Sequence, residues 1–152
     1  MKRILAVTAI TVLLCATASR MPAQNPALGT WKMNPAKSKY NLGSAPKSMT
    51  RTVASEGDKV KYTFEGVDAD GSPISYSFTV AYDGKDYPIT GAAPAGADTI
   101  SFNQFSEATV KKAGQPVLIS KVKVSADGKV TTIQTSAPGA GSVNSTVVYE
   151  KQ

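Results

Sequence analysis

Apolar and polar residues alternate one by one through most of this chain, and that pattern restricts it more than any other feature. In Lys59-Val60-Lys61-Tyr62-Thr63-Phe64-Glu65, the apolar set is Val60, Tyr62 and Phe64. Ile74, Tyr76, Phe78, Val80 and Tyr82 form a second stripe, with Ser75, Ser77, Thr79 and Ala81 between them. Side chains of a strand point to opposite faces in turn, so each stripe lines one side of a sheet. Helical periodicity is almost absent from Gln24 to Gln152, which excludes helical bundles and alternating strand–helix folds. Gly57-Asp58, Asp70-Gly71, Asp83-Gly84 and Asp127-Gly128 punctuate the alternating runs. Such pairs suit type I′ hairpin turns, whose two central residues both need positive φ.

The runs predict strands over 29–34, 49–56, 59–66, 74–82, 85–89, 98–104, 107–112, 116–125, 129–136 and 143–150. Pro35 to Ser48 reads as a loop with one turn of helix around Ala36–Tyr40, and Gly91 to Gly96 as a loop over one end. Many short strands joined by tight hairpins favour an all-β, antiparallel up-and-down barrel of about 8–10 strands over a sandwich, which needs longer crossing links. Closure also removes exposed sheet edges.

The first 23 residues read differently. Lys2 and Arg3 precede an apolar run from Ile4 to Ala18. A short positive segment followed by such a run matches a secretory signal peptide. The run is too short for a spanning helix, which needs roughly 20 apolar residues. Small residues at Ala16-Thr17-Ala18 and Met21-Pro22-Ala23 offer two cleavage points. The expected organisation is a signal peptide over 1–23 and a barrel domain over 24–152, exported to the periplasm or the extracellular space and not membrane-spanning in its mature form. Three of the 17 basic residues lie in the leader, so the remaining 14 against 11 acidic residues leave +3 in place of +6. That modest charge, without aromatics interleaved among the lysines, argues against nucleic acid as a partner.

The chain has no His, and its one Cys, Cys15, lies in the leader. His-based acid–base catalysis, His-ligated zinc or haem and four-cysteine metal sites are therefore excluded. The 11 carboxylates sit mostly in turns or at strand ends, and no closely spaced inward pair stands out. The expectation is a non-enzyme without cofactor. Asp68-Ala69-Asp70-Gly71 resembles the start of a calcium loop, but Ser72-Pro73 ends the ligand set, so it reads as a hairpin turn and no metal site is expected.

The mature chain opens with Gly29-Thr30-Trp31-Lys32 and closes with Val147-Val148-Tyr149-Glu150-Lys151. This resembles the calycin superfamily of lipocalins and fatty-acid-binding proteins, whose barrels begin with a G-x-W strand. The segments GTWK, K-S-x-Y, VDADG, YDGKDYP-x-TG and VYEKQ look like those of small secreted bacterial lipocalin-like proteins. The resemblance implies a barrel whose Trp31, after Gly29, plugs the closed end. It also implies a basic residue of the last strand across the indole, for which Lys151 is the candidate. It departs from the fatty-acid-binding pattern at Val147, which stands where an Arg two positions before the last-strand Tyr would hold a carboxylate. The helix–turn–helix lid is also missing.

A small barrel either fills itself or holds one small ligand. The candidate interior residues for a ligand are Tyr62, Tyr76, Phe78, Tyr82, Phe102, Gln104 and Tyr149. Gln104 is included because it continues the face of Ile100 and Phe102. Two registers are open for 116–125. One turns Val117, Ile119, Lys121 and Lys123 inward. The other turns Leu118, Ser120, Val122 and Val124 inward, and it is preferred because it buries fewer charges. Val130-Thr132-Gln134 on an inward face would add polar groups to the interior. Two functions follow. The first is an exported barrel binding a small hydrophobic or amphipathic molecule. The alternative is a solid-core envelope or extracellular interaction protein that works through its outer surface. The oligomeric state is not legible.

Overall fold

A computed structural model of the chain describes residues 25–104 and 106–152. The segment expected to be a signal peptide lies outside the described residues.

The alternating runs form the strands β1 (Gly29–Met33), β2 (Lys39–Tyr40), β3 (Ser48–Glu56), β4 (Lys59–Val67), β5 (Pro73–Val80) and β6 (Tyr87–Gly91), followed by a 3-10 turn at Pro94–Gly96. The second half forms β7 (Thr99–Asn103), β8 (Glu107–Lys112), β9 (Gln115–Val124), β10 (Val130–Ser136) and β11 (Ser145–Lys151). β1 and β3 to β11 pair in sequence order, and β1 pairs back onto β11. The fold is a closed, antiparallel, ten-strand up-and-down barrel, with β2 added at Tyr40 and Lys39 beside Ser145 and Thr146. In the stretch expected to be loop with a helical turn, Ser38 N–H does bond Asn34 C=O at 3.1 Å. The chain then goes extended at Lys39, because β11 offers two residues of free edge there.

The hairpins correct one expectation. Gly57, Gly71, Gly84 and Gly128 have positive φ, but Asp58, Asp70, Asp83 and Asp127 do not. These are not type I′ turns. In three of them the Asp side chain holds the turn from outside: Asp70 Oδ1 accepts from Ser72 N–H at 2.8 Å, Asp83 Oδ1 from Lys85 N–H at 3.1 Å, and Asp127 Oδ1 from Lys129 N–H at 3.0 Å. An Asp that bonds the amide two residues on needs no left-handed backbone of its own.

One barrel end is closed by packing. Trp31 is fully buried, and its Nε1 donates to Ala27 C=O at 2.8 Å, so the segment before β1 folds under the barrel floor. Val53, Val80 and Thr131 are buried as well. Lys151, opposite Trp31 across β1 and β11, carries its Nζ to 5.2 Å from the indole centroid. Its stem crosses Gly29, where a Cβ would meet Lys151 Cε at 2.9 Å. Any larger residue would push the cation off the ring. At the other end Gly66 lies so close to β3 that a Cβ would run into the Ser48 backbone carbonyl. A bare backbone there lets the sheet curl tightly.

The register of β9 and β10 is settled by pairing. Ile133 faces Val122 on one side and Val147 on the other. Leu118, Ser120 and Val122 therefore point inward, while Lys121 and Lys123 are exposed. On β10 the inward set is Thr131, Ile133 and Thr135, not Val130, Thr132 and Gln134. Gln134 is exposed.

Candidate functional site

Above the plugged floor the barrel is not filled. A cavity of about 380 Å³ runs up to the opposite end. That is within the roughly 300–1,000 Å³ of small-molecule sites. It is walled by inward residues of β3, β4, β5, β7, β8, β9, β10 and β11, and its mouth is rimmed by Leu42, Ser44, Pro46, Pro94 and Asn144. Leu42 is 65% exposed, so the cavity reaches solvent beside it.

One wall is aromatic. Cross-strand pairing sets Phe64 beside Tyr76 and Tyr62 beside Phe78. The rings of Phe64 and Tyr76 stack at 4.7 Å between centroids, and those of Tyr62 and Phe78 at 5.1 Å. Phe102 of β7 continues the series, 5.7 Å from Tyr62. The facing wall is aliphatic, with Leu118, Val122, Ile133 and Val147. Tyr149 and Tyr40 complete it, and the Tyr40 hydroxyl lies 3.5 Å from Met33 Sδ.

Of the residues expected to face the interior, Tyr62, Tyr76, Phe78, Phe102 and Tyr149 are brought together on this cavity. Tyr82 lies beyond the end of β5 and not on the cavity wall. It packs edge-on to Phe102, with centroids 5.5 Å apart, and its hydroxyl sits 2.5 Å from that of Tyr62. Gln104 is not interior. β7 ends at Asn103, and Gln104 is an exposed turn residue with φ 64°. Alternation cannot be extended through a residue in the left-handed region, because the pleat stops there.

Sequence reasoning passes over the one charged side chain that lines the cavity among the described residues. Arg51 of β3 is 2% exposed. It stands opposite Trp31 on one flank and Phe64 on the other. The signal lies in Met49-x-Arg51-x-Val53, which puts a guanidinium on the face of two apolar residues. Its Cζ is 5.1 Å from the centroid of the Tyr62 ring. Its Nε and Nη1 are buried without a hydrogen-bond partner. Among the described residues, no Asp or Glu lines the cavity. Burial pushes the Arg51 pKa down from its usual value, while the Tyr62 and Tyr149 phenols beside it push it back up. A guanidinium stays protonated in proteins nonetheless. Burial also raises the pKa of Tyr62, Tyr76 and Tyr149, for Tyr62 with help from Tyr82. These phenols are neutral at physiological pH, so Arg51 has no countercharge among the cavity residues.

Fold and site together define a closed ten-strand meander barrel with a plugged floor, an aromatic-walled interior and an open mouth. No family model matches this chain, and no curated protein does. Among solved structures it is similar to a biogenic amine-binding protein, at 12% identity and a TM-score of 0.48 over 82% of this chain. The match covers 63% of that protein, so this chain spans less than two thirds of its length. It is also similar to the zebrafish ileal bile acid-binding protein complexed with cholic acid, at 14% identity and a TM-score of 0.49 over 84% of this chain and 99% of that one.

Proposed function

We propose that this protein binds a small, largely apolar molecule inside its barrel without transforming it. The cavity carries this reading. A solid-core interaction protein would have filled the same space with side chains, since interiors pack to crystal-like density and an unfilled volume is destabilising. The chain plugs one end tightly and leaves the other open, which is the arrangement a ligand needs. Binding would draw on the burial of apolar ligand area, worth roughly 25 cal/mol per Å². The inward groups are phenols with raised pKa, hydroxyls and one guanidinium, a set that orients a ligand but offers no acid–base pair.

Titration with the neutral fluorophore phenylnaphthylamine tests this reading. Saturable binding at one site per chain is expected. Val122→Trp, which places an indole in the cavity from β9, should weaken it about tenfold or more, about 1.4 kcal/mol. Non-saturating fluorescence, or binding indifferent to Val122→Trp, would overturn the proposal.

Export belongs to the same proposal. Its support is the sequence of residues 1–23, two positive charges before an apolar run and small residues at the cleavage points. Protein recovered from outside the cytoplasm of its producer should lack those residues by intact mass, or residues 1–18 if the earlier point is used. A mature protein that retains Met1 to Ala18 would defeat this part.

A further inference from the structure

Two unpaired donors on the buried guanidinium narrow the class of ligand. Arg51 Cζ lies 5.1 Å from the centroid of the Tyr62 ring, and the Tyr62 hydroxyl also engages the guanidinium. A guanidinium carries five N–H donors. Nε and Nη1 stay buried without a partner. The charged or titratable groups that act on Arg51 are phenols, namely Tyr62, Tyr149 and Tyr82. An unpaired buried cation is costly to a fold, so a partner supplied from outside would satisfy a need the chain leaves open.

Resting on the reading of the cavity as a ligand site, we propose that the ligand is an organic acid. Its anionic group points inward onto Arg51, and its apolar body lies along the aromatic wall toward the mouth. Chain direction supports this orientation. β3 runs from the open end toward the floor, so Arg51 lies deeper than Met49, one layer above Val53. Phe64 and Tyr76 flank it across β4 and β5. The cation enters from the second barrel strand. On the last strand, Val147 lines the cavity two positions before Tyr149 and carries no charge. The guanidinium supplies strong charge-assisted donors to a carboxylate or sulfonate, and water is excluded from the floor by the Trp31 plug.

A matched probe pair tests this. Anilinonaphthalene sulfonate and phenylnaphthylamine share one ring skeleton and differ by the anionic group. The wild-type protein should bind the sulfonate at least about tenfold more tightly, as expected for hydrogen bonds to a charged group. Arg51→Leu should abolish the difference, read as the ratio of the two probes' affinities within the same variant. Arg51→Gln, which keeps a polar side chain at the position, serves if the Leu variant does not fold. Equal affinity for the two probes in wild type, or a sulfonate preference that survives both substitutions, would overturn the proposal and leave the cavity reading intact. Failure of the neutral probe to bind would instead remove the cavity reading and this proposal with it.

Discussion

Trp31→Ala is expected to cost the fold about 3–5 kcal/mol, the range for removing a large buried aromatic side chain. Three separate losses add up at this position. The indole is fully buried between the first strand and the segment beneath it, so its removal opens a hole at the floor. The Nε1 bond to Ala27 C=O disappears, and with it the tie that folds residues 25–28 under the barrel. Lys151 loses the ring it covers, a contact worth roughly 0.5–1 kcal/mol at an exposed site. The floor is also the water seal of the cavity, so probe binding should weaken along with stability. Trp31 is the only Trp, so unfolding in urea is followed by circular dichroism rather than by indole fluorescence. A loss below about 1 kcal/mol would show that the floor does not depend on the plug.

Arg51→Met should move stability in the opposite direction. The guanidinium is buried, holds two unpartnered donors and faces no carboxylate among the described residues. Methionine fills much of the same volume with a flexible apolar side chain. The variant gives up the cation–π contact with Tyr62 but removes a buried, uncompensated charge, and replacing buried charge with well-packed apolar groups is often stabilising by 1–4 kcal/mol. A gain of about 1–2 kcal/mol is expected, seen as a higher urea midpoint at unchanged slope. The same change should erase the preference for the anionic probe. Stability gained where binding is lost marks a residue kept for its ligand. A loss of stability above about 1 kcal/mol would instead make Arg51 a structural member of the aromatic wall.

The period-two stripes make the barrel legible in the sequence. The runs 59–66 and 107–112 coincide with β4 and β8 to within a residue. The preference for Leu118 and Val122 inward over Lys121 and Lys123 followed from the cost of burying charge, and the pairing of β9 agrees. The same reasoning failed wherever it was carried past a strand end. Continuing the alternation of Ile100 and Phe102 puts Gln104 inside, but the left-handed backbone at that residue breaks the pleat. Polar-rich β10 was harder, because Val130-Thr132-Gln134 and Thr131-Ile133-Thr135 are nearly equal in apolar content. Only the register with Val122 and Val147 decides between them.

The sequence by itself determined the strand class and the meander order, which depend on local alternation, turn residues and short-range chain geometry. The expectation of a Trp31 plug with Lys151 across it comes from the resemblance to the calycin pattern, not from the alternation. The tertiary structure decided closure, because the pairing of β1 with β11 joins residues more than a hundred positions apart and no local signal carries it. It also decided that the interior is part empty and that Arg51 stands inside it with two donors unpaired. Cavity volume and countercharge depend on what eight strands bring to one place, and an Arg on an alternating strand looks the same in the chain whether it faces a carboxylate, water or a ligand.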